Sequence, residues 1–355
     1  MSRLLEPLTL REVTFRNRAW VAPMCQYSSV DGFPTDWHLV HLGARAVGGA
    51  GLVFTEATAV TPEGRISPDD AGIWSDEHAR AYERIAAFIT AAGAVPGMQL
   101  AHAGRKASTR APWLGRGAVP SADGGWPTVG ASPLGYADWP APGELNGEQL
   151  GELAQSFAAA ARRAVGAGFR VLEVHAAHGY LLHQFLSPLA NVRTDGYGGD
   201  LAGRMRLTLE VSAAVRAAVP AELPVLVRIS ATDWVEGGWN LDESVVLSKE
   251  LASLGVDLID VSSGGLDPRQ AIDAVPGYQV PFARAIREQV GIPTGAVGMI
   301  TEPAQAEAIL AEGSADAVLL ARALLRDPSW PLRAAHELGD RSSWPVQYER
   351  GAWPA

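Results

Sequence analysis

The sequence predicts one α/β domain spanning residues 1–355, a (β/α)8 TIM barrel with a long loop after its third strand and a C-terminal tail. Two observations predict this fold. Short apolar runs alternate eight times with longer amphipathic segments, as expected for βα units around a parallel sheet. Barrels of this type often exceed about 250 residues as one domain, so the length of the chain fits a single barrel.

The apolar runs predict eight strands, at Ala19–Ala22, Gly51–Thr55, Ala94–Leu100, Phe169–His175, Pro224–Ile229, Val256–Val261, Ile292–Val297 and Ala315–Leu320. Helical segments of a dozen residues or more follow the first six, for example Asn146–Ala167, Leu201–Val219 and Asp242–Leu254, and shorter helices follow the last two. An open doubly wound sheet would need G-x-G-x-x-G at the first strand–helix turn. Pro23-Met24-Cys25-Gln26 stands there, so the closed barrel is favoured.

Two segments lie outside this repeat. Residues 103–145, which we call the capping loop, are rich in Gly, Pro and Trp. A loop of that length in a compact domain is usually a lid or a binding element, and a surface insertion is the alternative. The C-terminal tail, residues 344–355, carries Tyr348, Arg350 and Trp353. This composition predicts a tail that packs on a surface, its own or that of a neighbour.

Composition excludes several classes of function. A net charge of −10 and a pI near 5.3 argue against nucleic-acid binding, which needs clustered cations. The single Cys25 can form no internal disulfide and cannot supply the four thiolates of an iron–sulfur cluster. Because neither a signal peptide nor a run of about 20 apolar residues is present, we expect no membrane insertion and a cytoplasmic location.

Polar residues follow almost every predicted strand, which is where barrels of this kind build their active sites. In chain order these residues are Cys25 and Tyr27, then Gln99, His175, His178 and Tyr180, then Arg228, Ser263 and Arg322. Phosphate groups commonly bind at the loops after strands seven and eight. Gly264 and Gly298 would let backbone N–H groups approach an anion, and the Arg322 guanidinium can bind its oxygens. The pattern predicts a phosphorylated ligand.

The segment His175-Ala-Ala-His178-Gly-Tyr180 allows three interpretations. Two histidines three residues apart can bind a metal, but a third ligand is missing and we expect Glu173 on the opposite side of the strand, so no metal is predicted. The histidines can instead donate hydrogen bonds to a developing oxyanion, with the Tyr180 hydroxyl as a general acid. A purely structural pair is the remaining alternative.

Motifs along nearly the whole chain resemble the old yellow enzyme family, and within it the shorter, thermophilic-like subclass. They are Ala22-Pro-Met-Cys-Gln-Tyr27, Gln99-Leu-Ala-His-Ala-Gly-Arg-Lys106, His175-Ala-Ala-His-Gly-Tyr180, Asn191-Val-Arg-Thr-Asp-Gly-Tyr-Gly-Gly199, Val227-Arg-Ile-Ser230, Ala321-Arg322 and Gln347-Tyr-Glu-Arg350. The main departure is Val192, where the family commonly has Arg. This change lies on a supporting loop.

The resemblance implies a role for each matching position. FMN would lie against Ala22, Pro23, Met24, Cys25 and Ala57, with Gln99 and Arg228 at its pyrimidine edge and Ser263, Gly264, Gly298, Ala321 and Arg322 toward its phosphate. Tyr27, His175 and His178 would hold the substrate carbonyl, Tyr180 would donate a proton, and Lys106 would contact substrate at the pocket mouth. Arg350 would reach the active site of a neighbouring subunit in a homodimer or a dimer of dimers.

The activity implied is FMN-dependent reduction of activated C=C bonds in α,β-unsaturated carbonyls and related acceptors, by ping-pong hydride transfer. The hydride donor would be NADPH, with NADH as the alternative. A flavin-free barrel lyase or aldolase that uses Lys106 as an amine nucleophile on a phosphorylated substrate is one rival hypothesis. A non-catalytic flavin-binding sensor is another.

Overall fold

Eight parallel strands close into a barrel, as predicted. The structure, a computed structural model, describes residues 2–341 and 344–353, so Met1, Pro354 and Ala355 of the predicted domain and tail lie outside the described residues. The strands are β1 (Ala19–Val21), β2 (Leu52–Ala59), β3 (Val95–Ala101), β4 (Val171–Ala176), β5 (Val225–Ser230), β6 (Leu258–Ser262), β7 (Thr294–Ala296) and β8 (Ala317–Leu320). Each pairs with its neighbours in sequence, and β8 pairs with β1. Every predicted strand is therefore present.

Helices connect the strands on the outside of the barrel. They are α1 (Asp36–Val47), α2 (Asp76–Ala91), α3 (Gly147–Gly166), α4 (Leu181–Leu186), α5 (Leu201–Ala218), α6 (Leu241–Ser253), α7 (Val280–Val290), α8 (Pro303–Ala311), α9 (Arg322–Arg326) and α10 (Trp330–Glu337). Asn146 caps the first turn of α3 by accepting from the Gln149 N–H, which explains why that helix begins where the sequence predicts. The helix after β6, α7, has 11 residues and is slightly shorter than expected.

The core is continuous and consists of the strands and the inner faces of the helices. Every residue of β2, β4, β5 and β6 is buried, as parallel strands covered on both faces require. A short antiparallel hairpin, Leu8–Leu10 with Val13–Phe15, precedes β1 and packs on this core, where Phe15 contacts Trp20 with ring centroids 4.6 Å apart. No helix in the described ranges is long and apolar enough to cross a membrane.

The capping loop has little regular structure. Three 3-10 turns, Gly104–Lys106, Pro112–Leu114 and Ser121–Asp123, are followed by a two-residue pairing of Val129–Gly130 with Gly143–Glu144. The tail forms one 3-10 turn at Glu349–Gly351. Trp353 stacks on His336 of α10 in the same chain, with ring centroids 5.3 Å apart. The tail therefore packs, at least in part, on its own barrel.

Candidate active site at the carboxyl ends of the strands

A cavity of about 530 Å³ opens at the carboxyl ends of the strands, and it brings together residues from both ends of the chain. Of the predicted site residues, it is lined by Ala22, His178, Arg228, Ser263, Gly298, Ala321 and Arg322. The sequence analysis missed other lining residues, which include Gln270, Ile272, Tyr278, Gln279, Met299 and Arg326. Several of them lie on the long β6–α7 connection, which has no motif that could have revealed them.

The two histidines at the end of β4 lie side by side. The ring centroids of His175 and His178 are 5.1 Å apart, and Nδ1 of His175 has no hydrogen-bond partner among the described residues. Nε2 of His178 lies 2.8 Å from the Ser262 hydroxyl. Burial, with Arg228 nearby as the next cause, lowers the pKa of both histidines well below the usual range. Both are therefore uncharged near pH 7, and each ring carries one N–H.

Tyr180 begins the short helix α4 beside these histidines. Its ring centroid is 5.2 Å from that of His175, and its side chain packs on a small apolar cluster that Cys25 also contacts. Ala57 belongs to the same cluster. Burial raises the pKa of the Tyr180 hydroxyl well above its usual value and does the same for the Cys25 thiol. Both groups keep their protons at neutral pH.

The ammonium group of Lys106 joins three loops at the mouth of the barrel. Its Nζ donates to the carbonyl oxygens of His178 at 2.8 Å and Gly265 at 2.9 Å. It also lies 5.1 Å from the centre of the Tyr180 ring, within reach of a cation–π contact. Burial lowers the pKa of Lys106 to about 8. Lys106 is thus bonded to backbone at this mouth, which fixes the position of His178.

A cluster of buried polar side chains lies in the barrel interior below the cavity. Gln99 Nε2 donates to Glu173 at 2.7 Å, and Arg228 Nε lies 3.1 Å from Asp260. The expectation that Glu173 points away from His175 was wrong, because residues two apart in a strand share a face and both point inward. Burial and the Asp260 carboxylate raise the pKa of Glu173 well above its usual value.

The opposite part of the cavity, at β7 and β8, is lined by Gly298, Met299, Ala321 and Arg322. Gly298 has φ of 113° and Met299 φ of 51°, and a Cβ added to Gly298 would lie 2.9 Å from Gln279 Nε2. Arg322 begins α9, and its guanidinium forms no ion pair with a carboxylate in the described part of the chain. The same holds for Arg326. This side combines a glycine with positive φ and the unpaired positive charge of two arginines.

The glycine pair after β6 differs from the prediction in detail. Gly265, rather than Gly264, lines the cavity, and a Cβ on Gly264 would lie 2.6 Å from Gln270 Oε1. A Cβ on Gly265 would lie 2.6 Å from the His178 Cα. The absence of a side chain at Gly265 therefore lets the β4 and β6 loops touch.

Some predicted site residues lie beside the cavity rather than in its wall. Pro23, Met24 and Cys25 follow β1, and Tyr27 packs its ring edge on Trp113 of the capping loop with centroids 5.5 Å apart. Tyr27 has φ of 49°, an uncommon conformation for a residue with a side chain. Arg350 is exposed on the tail and forms no ion pair in the described ranges.

The residues at this site fit FMN. Buried polar atoms without a hydrogen-bond partner in the described chain cluster at and below the cavity, on Glu173, His175, Arg228 and Asp260. Such atoms are normally satisfied by a ligand or by water. Gly298, with its positive φ, and the unpaired Arg322 suit a phosphate. No cluster of three or more potential metal ligands occurs in the part of the chain described, so no metal site is apparent there.

Comparison with known proteins supports the same assignment. The model of the NADH:flavin oxidoreductase / NADH oxidase family matches residues 3–341. The NADPH dehydrogenase of Geobacillus thermodenitrificans is 46% identical over 350 residues, which are 98% of each chain. The NADPH dehydrogenase of Bacillus subtilis is 43% identical over 351 residues, 98% of this chain and 99% of that protein.

Solved structures with the same architecture include two reductases. Morphinone reductase superposes with a TM-score of 0.80 at 27% identity and covers 97% of this chain and 91% of its own. The old yellow enzyme homologue from Zymomonas mobilis gives a TM-score of 0.79 at 27% identity, with 99% of each chain covered. The chain therefore belongs to the NADH:flavin oxidoreductase / NADH oxidase family, and its predicted resemblance to the old yellow enzymes as an FMN-dependent, NAD(P)H-using oxidoreductase is confirmed.

Proposed function

We propose that the protein is an ene-reductase that transfers hydride from NADPH to the activated C=C bond of an α,β-unsaturated carbonyl compound. One observation carries the proposal. The rings of two uncharged histidines and a protonated tyrosine pack together at a cavity that His178 lines, and the other side of this cavity is lined by Gly298 and the unpaired Arg322 and Arg326. The first set suits a carbonyl oxygen and a proton transfer, and the second suits a flavin phosphate. FMN, when bound, supplies the redox centre between nicotinamide and substrate.

The residues that would hold FMN follow from their places around the cavity. Gly298, Ala321 and Arg322 would bind the phosphate, with Ser263 and Gly265 next to them. Gln99 and Arg228 would contact the polar edge of the ring system. Ala22, Pro23, Met24, Cys25 and Ala57 would lie along its apolar part. The orientation of Gln99 supports this role, because its bond to Glu173 occupies the amide nitrogen and leaves Oε1 as an acceptor.

His175 and His178 would hold the substrate carbonyl oxygen and polarise the double bond. An N–H of a neutral imidazole in a buried site donates strongly to an oxygen that gains negative charge. For His178, the Ser262 hydroxyl 2.8 Å from Nε2 would hold the ring in position at the carbonyl site. Tyr27 would form the third side of this carbonyl site.

Tyr180 would deliver the proton that completes the reduction. Its hydroxyl remains protonated at neutral pH, and its ring lies beside His175, so the proton is close to the carbon next to the bound carbonyl. Lys106 would contribute by holding the His178 and Gly265 carbonyls in place, in addition to a contact at the pocket mouth. The lyase hypothesis needs Lys106 as an amine nucleophile. The two bonds to carbonyl oxygens argue against it, because they already occupy the ammonium group.

We further propose that Arg350 acts in a neighbouring subunit of a homodimer. Arg350 is exposed, and the tail that carries it is fixed three residues later, where Trp353 stacks on His336. This exposed position supports the role. Mixing Arg350→Ala chains with His175→Ala/His178→Ala chains tests it. If Arg350 acts in trans, one site of a mixed dimer has both defects and the other has none, so activity recovers. No recovery despite subunit exchange would contradict the proposal.

An anaerobic titration tests the function as a whole. The purified protein should show flavin absorbance, lose it on addition of NADPH and regain it on addition of cyclohexenone, with the saturated ketone as product. A protein with no visible absorbance even after FMN is added would favour the lyase. Flavin that NADPH reduces but that no enone reoxidises would favour the sensor.

A further inference from the structure

A buried acid–histidine pair lies next to the site but belongs to none of the roles above. Glu56 is on β2, and His38 is on α1. Their side chains are 1% and 3% exposed, and His38 Nε2 lies 2.9 Å from Glu56 Oε1. The other carboxylate oxygen, Oε2, accepts the backbone N–H of Gln26 at 2.9 Å. Each oxygen of Glu56 therefore has a separate partner, and one of them is the loop that leaves β1.

An irregularity in β2 directs Glu56 toward that loop. The pairing of β2 with β3 shifts register between Phe54 and Ala57. The hydroxyls of Thr55 and Thr58 donate to the Glu56 carbonyl oxygen at 3.1 and 2.8 Å and so stabilise the bulge from within. Ala57 then packs with Cys25 and Tyr180, while the neighbouring Glu56 side chain reaches Gln26 and α1.

The hydrogen bonds determine which nitrogen of His38 carries the proton. The Thr35 N–H donates to His38 Nδ1 at 2.9 Å, in the capping box that begins α1. Because a backbone N–H can only donate, Nδ1 must be the acceptor and the ring proton must be on Nε2. That proton points to Glu56. His38 thus connects the start of α1 to the carboxylate and holds it in one orientation.

The segment that Glu56 holds contains a strained residue. Tyr27 directly follows Gln26 and has φ of 49°, which costs free energy in a residue with a side chain. The carbonyl oxygen of Gln26 is also fixed, because it accepts a hydrogen bond from the Ser28 hydroxyl at 2.9 Å. These bonds on both sides of Gln26 keep the chain in the turn that packs Tyr27 against Trp113 of the capping loop.

We propose that Glu56 is a positioning residue for the Cys25–Tyr27 segment, acting through the Gln26 peptide and held in place by His38. The inference rests on the proposed function, which assigns Tyr27 to the carbonyl site. Glu56 touches no reacting atom. It affects substrate binding by maintaining the conformation of Tyr27.

The Glu56→Gln variant tests this role. An amide has one accepting oxygen, so it must turn its NH2 group toward either the Gln26 N–H or the His38 N–H and lose that bond. We expect the dissociation constant of phenol, followed by flavin absorbance, to rise about tenfold. KM for cyclohexenone should rise more than kcat falls. FMN content per chain should be unchanged.

A double-mutant cycle with Tyr27→Phe separates positioning from general destabilisation. If Glu56 acts through Tyr27, Glu56→Gln should change phenol binding less than about twofold in the Tyr27→Phe background. Asp70→Asn is the matched control, because Asp70 is the other buried carboxyl near Cys25 and bonds only Ser67 and the Ile66 N–H. That variant should leave phenol binding within about twofold of the wild type, since it breaks no bond to Gln26.

Three results would overturn the inference: unchanged phenol binding in Glu56→Gln, additive effects in the cycle, or an equal effect of Asp70→Asn. If Glu56→Gln does not retain FMN, His38→Asn replaces it in the same cycle. Asparagine can still accept the Thr35 N–H but is too short to reach Glu56, and the same coupling to Tyr27 is expected. A wild-type protein that reduces no enone would contradict the proposed function itself, whereas these results with an active wild type contradict only the role of Glu56.

Discussion

The end of β4 brings two imidazole rings and a phenol together, whereas the ends of β7 and β8 line the cavity with Gly298, Ala321 and Arg322. On the first side, the Ser262 hydroxyl contacts His178 Nε2, and the Lys106 ammonium group donates to the His178 carbonyl oxygen and lies over the Tyr180 ring. On the second side, Gly298 and Met299 adopt positive φ and line the cavity with Arg322. Side chains suit a reaction that needs directed N–H and O–H groups, and peptide groups suit a phosphate that needs many donors at close range. We therefore propose that His175, His178 and Tyr180 perform the chemistry, while Gly298 and Arg322 hold the phosphate of the cofactor.

The largest effect is expected from Tyr180→Phe, on the side of the cavity at the end of β4. General acids contribute about 10²–10⁴-fold to a rate, and the substitution removes the proton while leaving the ring. Reoxidation of the flavin by an enone should slow by about that factor, and its reduction by NADPH should change little. Stopped-flow absorbance measures both half-reactions. Equal slowing of the two would mean that Tyr180 only shapes the pocket.

The next effect is expected from the histidines. Loss of one donor from a buried oxyanion site typically costs about 10²–10³-fold, so His175→Ala and His178→Ala should each lower kcat/KM for cyclohexenone by about that amount. Steady-state kinetics at saturating NADPH measure it. FMN content should stay at the wild-type level, because neither ring is placed at the phosphate. A variant that loses FMN or does not fold would show the histidines to be structural.

Gly298→Ala tests the side of the cavity at the ends of β7 and β8. A Cβ there meets Gln279 and strains the φ of 113°, so the peptide should shift and the FMN dissociation constant should rise by about tenfold or more. Riboflavin, which has no phosphate, should bind with nearly unchanged affinity. Gly291→Ala is the control, because Gly291 also has a positive φ of 79° but ends α7 with nothing near its Cβ position. Equal losses for FMN and riboflavin would place the phosphate elsewhere.

A separate effect, on stability rather than on binding or catalysis, is a pH dependence from Asp70. Burial, with the Glu56 charge as the next cause, raises the pKa of Asp70 from 3.8 to about 7. A raised folded-state pKa stabilises the fold fully below the unfolded value, and this contribution is lost as the pH rises through about 7. Relative to Asp70→Asn, the wild type should lose up to about 1.4 kcal/mol of unfolding free energy per pH unit between pH 5 and 7. Denaturant unfolding at several pH values measures the difference, and parallel curves would contradict it.

The two sides of the cavity also differ in how well the sequence predicts them. Side-chain motifs such as His175-Ala-Ala-His178 are visible in the sequence, and the β-strand pattern places them at the barrel mouth. The positive φ of Met299 and the bulge before Ala57 were not predictable in the same way, because no motif in the sequence marks either conformation. The β6–α7 connection supplies Gln279 to the cavity and carries no motif. Glu173 follows the ordinary alternation of a strand, which puts it on the same inward face as His175.

The separate roles of the two sides of the cavity are tested most directly by measuring two affinities in two variants. FMN binding to the apo-protein and phenol binding at saturating FMN are determined for His178→Ala and for Gly298→Ala. We expect His178→Ala to weaken phenol binding with FMN affinity near the wild-type value, and Gly298→Ala to do the reverse. If both affinities fall together in either variant, the two sides of the cavity do not have separate roles and the account is contradicted.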